Sequence, residues 1–198
     1  MALQTNDTKH ILNKNRRIAE TGIFLALFLG LAYAFAYVPN LEYITAMAFL
    51  SGLMLGWKRG LFIALVGEAV FSIANPFGSS LAFPSLLAAQ LISFSCIALT
   101  GASFRGFLPK LLEHKPGTAA VILGVSGLLL TIFYNIMTTL FYALTSGFTF
   151  EQTLASMISG IPFYLINMIA NTINFSVLIT LILRYVLKHY PHYLENKI

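Results

Sequence analysis

Apolar runs separated by polar or Pro/Gly punctuation divide the chain into six stretches, residues 18–37, 43–56, 60–74, 84–103, 119–145 and 159–187. A helix of about 20 apolar residues crosses a bilayer, so the pattern predicts an all-α integral membrane protein with six transmembrane helices. The second and third stretches are short, reaching only about 20 to 24 Å at 1.5 Å per residue. They need a thinned bilayer, extension by flanking residues, or shielding by neighbouring helices.

Composition agrees. Of 198 residues, 58% are hydrophobic, 14% aromatic and 10% charged, and the mean hydropathy is +0.79. Soluble domains average about a quarter charged residues, so this chain cannot cover a water-facing surface. A cytosolic enzyme, a nucleic-acid-binding domain and a disordered chain are excluded. We expect one transmembrane domain over 1–198: a polar N-terminus (1–17), a six-helix bundle (18–187) and a tail (188–198). Cys96 is the sole cysteine, so no disulfide forms within the chain.

Charge placement orients the bundle. Lys9, Lys14, Arg16 and Arg17 precede span one; Lys58 and Arg59 separate spans two and three; Arg105, Lys110 and Lys115 separate four and five; Arg184, Lys188 and Lys197 close the chain. All 12 Lys and Arg residues thus fall on one side, while 38–42, 75–83 and 146–158 hold only Glu42 and Glu151 as charges. The positive-inside rule then places both termini in the cytoplasm. A basic start, an apolar run and Ala32-Tyr33-Ala34 also fit a signal peptide; an uncleaved first span keeps the charge pattern whole. Pro109, Pro116 and Gly117 break the loop 104–118, which reads as a hinge between two groups of helices.

Two constellations carry candidate chemistry. Gly22, Ala26, Gly30 and Ala34 recur every fourth residue and form one stripe along span one. Small residues let another backbone approach closely, either inside the bundle or as a docking face for a different subunit. Gly52 and Gly56 form a shorter version suited to internal packing. The second constellation is polar: Glu68, Gln90, Asn135, Asn167, Asn171 and Asn174 lie inside spans three to six, where each must find a partner without water. Counted from the outer ends of their spans at 1.5 Å per residue, Glu68 and Gln90 lie about 9 Å deep, Asn135 about 15 Å and the three asparagines about 12 to 22 Å.

Asn167, Asn171 and Asn174 share one helical face. The set reads either as a solute site or as interhelical hydrogen bonds. Glu68, the only carboxylate well inside a span, is a functional candidate or a protonated structural partner. The uncharged connection 75–84, Asn-Pro-Phe-Gly-Ser-Ser-Leu-Ala-Phe-Pro, forms either a lid or a tight turn. Aromatics such as Tyr134, Tyr142, Phe163 and Tyr164 flank the layer. With no Lys or Arg in the outer half, an anionic solute would lack its usual partner; a neutral or weakly cationic heteroaromatic compound is favoured. There is no phosphate loop of the G-x-x-x-x-G-K-[ST] type, no metal-ligand spacing in the spans and no nucleophile–histidine pair.

Six spans with both ends inside, the small-residue stripe, Val38-Pro39-Asn40-Leu41-Glu42, Gly52-Leu53-Met54-Leu55-Gly56-Trp57-Lys58-Arg59-Gly60 and Asn75-Pro76-Phe77-Gly78 together resemble the S component of energy-coupling-factor (ECF) vitamin transporters. The resemblance implies a membrane subunit that captures a vitamin or related micronutrient from outside a prokaryotic cell. It also implies a coupling transmembrane subunit and two cytosolic ATPases as partners, with no cofactor or metal and no enzymatic activity of its own. It places subunit docking on Gly22, Ala26 and Gly30, and substrate binding on Glu42, Asn75, Gln90, Asn135, Asn167, Asn171 and Asn174; Glu68 joins them from its depth. A proton-coupled transporter acting alone through Glu68, and a membrane scaffold protein, are the rival readings.

Overall fold

A computed structural model describes residues 2–38 and 43–189, with side chains from residue 11 onward. Among these residues every regular element is helical: α1 (Ala2–Ala34), α2 (Ile44–Leu55), α3 (Trp57–Ile73), α4 (Pro84–Phe104), α5 (Leu108–His114), α6 (Pro116–Thr145), α7 (Phe150–Ile173) and α8 (Thr180–His189). A short 3₁₀ turn, Ser80–Ala82, precedes α4, and a π-helical segment, Asn174–Ile179, joins α7 to α8 without a break. Pro84 and Pro116 sit in the first turns of α4 and α6, where a missing N–H costs nothing.

Four segments, Ile11–Ala34, Pro84–Phe104, Pro116–Thr145 and Phe150–His189, are long and apolar enough to cross a membrane, at 24, 21, 30 and 40 residues. The chain is a multi-pass helical membrane protein. Its α7 is built inside out: the buried residues are Asn167 and Asn171, while Ile158, Ile161, Phe163, Leu165, Ile166, Ile169 and Ile173 face outward. Water would reject such a helix, whereas lipid accepts the apolar face and forces the amides inward.

The short second element resolves differently from its neighbours. All 12 residues of α2 are buried, as a helix apolar on every side requires. It is shielded by α1, α3 and α4 rather than exposed to a thinned bilayer. Glycines make this possible. A Cβ added to Gly52 would overlap the Ala98 carbonyl of α4, one on Gly101 would overlap the Phe49 carbonyl of α2, and one on Gly60 would come within 2.5 Å of Gly52 Cα. Three backbones therefore touch at one crossing, the approach that small residues permit. Gly56 turns α2 into α3 with φ 85°, a conformation that favours glycine, and its N–H donates to Gly52 O at 2.9 Å.

Three expected boundaries shift. The segment 104–118, expected as a loop and hinge, carries α5 over Leu108–His114, with Leu108 and Leu112 buried. The connection 146–158 is not all loop, because α7 starts at Phe150. Thr149 and Gln152 form a reciprocal cap there: Gln152 N donates to Thr149 Oγ1 at 3.3 Å and Thr149 N to Gln152 Oε1 at 2.9 Å. The polar segment before residue 18 is also helical, continuous with the apolar part of α1.

Basic residues from distant parts of the chain gather at one end. Glu20 accepts from Arg16 at 3.1 Å and from Arg59 at 2.9 Å, joining α1 to α3. Arg105 Nη1 lies 2.7 Å from where a Gly56 Cβ would stand. Arg184 and Lys188 share a surface hollow with Glu113. Aromatic pairs mark the opposite end: Tyr37 with Phe77 at 5.3 Å, and Phe83 with Tyr142 at 5.0 Å, where Ser85 and Thr145 also hydrogen-bond.

Candidate functional site

Helix periodicity aims the intramembrane polar residues inward, and packing sets their levels. Glu68 is 1% exposed and accepts a hydrogen bond from Ser72 Oγ at 2.6 Å, one turn on. Its neighbour Gly67 carries no side chain because Phe28 of α1 rests there, 2.6 Å from an added Cβ. Phe28 meets Phe94 of α4 edge-on at 5.9 Å, and Phe94 meets Tyr134 of α6 at 5.8 Å. This chain of rings runs from Gly67 of α3 to Tyr134 of α6 and so ties the levels of their sequence neighbours Glu68 and Asn135 together.

Asn135 and Met168 line a groove of about 250 Å³ between α6 and α7, which brings Asn167 to the same level. Along this groove Thr139 and Tyr164 share a hydrogen bond of 2.5 Å. Gln90, one turn before Phe94, sits a step nearer the Pro84 end of α4. Asn171 and Asn174 step the other way: an added Cβ on Gly127 would lie 2.9 Å from the Asn171 carbonyl and 2.6 Å from the Phe175 ring. Relative to Asn167 these two amides lie about 6 and 10 Å nearer the basic end at 1.5 Å per residue. The expected layer is thus a ramp across α4, α6 and α7.

Several polar atoms on the ramp are buried without a hydrogen-bond partner among the described residues: Gln90 Oε1, Ser93 Oγ, Asn135 Nδ2, Asn171 Oδ1 and Asn174 Nδ2. Each such atom costs about 1–3 kcal/mol when nothing meets it. Asn171 Nδ2, by contrast, donates to Asn167 Oδ1 at 2.9 Å. The helix changes character where the ramp ends, for Asn174 opens the π segment; such segments recur at functional sites.

Other expected residues stand apart. Asn75 Oδ1 accepts from Phe77 N at 2.9 Å, so its side chain shapes the turn after α3. Glu42 lies outside the described residues. Gly22, Ala26 and Gly30 are exposed, and nothing lies within 4 Å of a Cβ added to either glycine; this stripe is not used for packing inside the bundle. Phe163 points away from the bundle, 59% exposed. Residues not singled out in the sequence reading are Ser72, Ser93, Phe28 and Phe94. Spacing offers a signal for the first two, since Ser72 follows Glu68 by four positions and Ser93 follows Gln90 by three. No group of three His, Cys, Asp or Glu able to hold a metal occurs among the described residues.

No family model, curated protein or solved structure matches the chain.

Proposed function

We propose that this chain is the substrate-specificity subunit of an ECF-type importer. In this reading it is a six-span bundle in a prokaryotic cell membrane, α2 and α3 counting as spans, with both termini in the cytoplasm. It binds a neutral or weakly cationic vitamin-like compound from outside and associates with a coupling transmembrane subunit and two cytosolic ATPases. The ATPases perform the chemistry; the chain itself is no enzyme.

The observation that carries the reading is the unequal use of small residues. Gly52, Gly60, Gly101 and Gly127 are spent on close contacts within the bundle, whereas Gly22, Ala26 and Gly30 form an outward stripe with nothing against it. In lipid such a stripe has little reason to face outward unless a second helix packs on it. The unmet amides support a solute site independently. Gln90 Oε1 and Asn171 Oδ1 are unmet acceptors and Asn135 Nδ2 and Asn174 Nδ2 unmet donors, the mixture of polar atoms that orients a heterocyclic ligand.

The test is affinity purification of the full-length chain from its native membranes, followed by native mass spectrometry. The expected result is a complex with a coupling subunit, two ATPases and a vitamin-sized ligand. Gly22→Leu with Gly30→Leu should release the subunits from a folded chain. A second reading rests on Glu68, buried and hydrogen-bonded within α3: a solitary proton-coupled transporter. Uptake by the reconstituted chain alone, abolished by Glu68→Gln, would establish it and overturn the importer.

A further inference from the structure

At the basic end, α1 and α3 diverge and leave a groove of about 650 Å³. It is lined by Lys14, Arg17, Ile18 and Leu25 from α1 and by Arg59 and Phe62 from α3. With Thr21 and Gly22, which also line it between Ile18 and Leu25, the α1 residues recur at three- and four-residue steps and so form one helical face. Polarity is graded along that face. Lys14 and Arg17 come first, and Leu25 lies about 16 Å further toward the bundle centre at 1.5 Å per residue.

The apolar walls are open, with Ile18 61% and Phe62 51% exposed. The cations are unequal. Arg59 is held by Glu20 at 2.9 Å, and Glu20 also pairs with Arg16. Lys14 and Arg17 have no acidic partner among the described residues.

We propose that this groove binds an anionic phospholipid, with the phosphate headgroup on Lys14 and Arg17 and an acyl chain along Ile18, Leu25 and Phe62. Three features favour that occupant. Uncompensated positive charge attracts anionic headgroups where a helix leaves the bilayer. The groove continues from charged to apolar in the direction in which a lipid does. A free phosphate would leave Ile18 and Phe62 uncovered, and a partner helix would need its own acids to meet Lys14 and Arg17. The site goes beyond the importer reading and does not use the amide ramp. Gly22 of the docking stripe lines the groove, however, so a lipid there and a coupling helix on that end of the stripe exclude one another. Lipid retention is therefore read on the isolated chain, where no partner subunit competes.

The test titrates the full-length protein, purified in neutral detergent, with phosphatidylglycerol or phosphatidylcholine and counts retained lipids by native mass spectrometry. One phosphatidylglycerol should be kept at least about tenfold more tightly than phosphatidylcholine. Each basic residue near an anionic headgroup contributes about fivefold, so Lys14→Gln with Arg17→Gln should erase that preference. Phe62→Ser should weaken retention several-fold through the chain contact alone. Lys110→Gln with Lys115→Gln removes the same charge from exposed positions elsewhere and should change retention less than about twofold.

Equal retention of the two lipids overturns the proposal, as does equal weakening by the control pair, which would mean diffuse surface charge. Displacement of the lipid by inorganic phosphate would assign the site to a soluble anion instead. A photo-crosslinker placed at residue 18 that captures a protein subunit rather than lipid in native membranes would assign the groove to a partner helix.

Discussion

Asn171 donates to Asn167 across one turn of α7, Nδ2 to Oδ1 at 2.9 Å, and these two amides are the helix's buried residues. The bond satisfies one donor and one acceptor but leaves Asn171 Oδ1 without a partner among the described residues. Asn167→Leu should therefore cost about 1–3 kcal/mol, because it strands Asn171 Nδ2 beside an Oδ1 that is already unmet. The double change Asn167→Leu with Asn171→Leu should cost less than the single one, because no stranded atom remains. Thermal unfolding in detergent measures the order, and both variants should lose the solute.

The carboxylate on α3 separates fold from transport. Glu68→Gln keeps an acceptor for Ser72 Oγ, whereas Glu68→Leu removes it. The amide variant should stay within about 1 kcal/mol of the parent, and the leucine variant should lose about 1–3 kcal/mol. Under the importer reading Glu68→Gln leaves uptake dependent on ATP and insensitive to an imposed proton gradient, which a vesicle uptake assay reads directly.

Glycines divide into two classes by what surrounds them. Gly101→Ala places a methyl group against the Phe49 carbonyl and should destabilise by about 1–3 kcal/mol or more, as overpacking does. Gly30→Ala meets nothing within 4 Å and should be neutral or stabilise by up to about 1 kcal/mol through helix propensity. Unfolding midpoints of the two variants check the contrast, and Gly30→Leu should keep the fold while losing partner subunits.

At the start of α7 the reciprocal cap sets where the helix begins. Thr149→Ala should cost about 1 kcal/mol, seen first as faster amide hydrogen exchange over residues 150–153. Gln152→Ala should have a smaller effect in the same segment, since it removes only the Thr149 N–H acceptor.

How much of this was legible in advance varies with the kind of interaction. The hydrophobic pattern marks α4 and α6 within a few residues, because crossing lipid demands a long apolar run whatever its neighbours are. It starts α1 at 18 where the helix begins at Ala2, since a polar helical extension leaves no apolar signal. It places the last span's start nine residues late, at 159 rather than at Phe150, since Glu151, Gln152 and the serines that follow read as loop. A local capping pair outweighed that composition. The polar residues stood out for a comparable reason: an amide in an apolar stretch is conspicuous by composition alone.

The sequence by itself determined that the chain lives in lipid, that its positive charge collects at one end, and that amides and a carboxylate lie inside its apolar runs. These follow from the cost of exposing apolar surface to water and polar groups to lipid, which each residue carries with it. Tertiary structure decided the rest. It buried all of α2, turned Gly22 and Gly30 outward while driving Gly52 and Gly101 together, spread the asparagines into a ramp, and linked α1, α4 and α6 through the rings of Phe28, Phe94 and Tyr134. Those outcomes depend on which backbones approach within a side chain's width, and that is a property of pairs of helices rather than of any one segment.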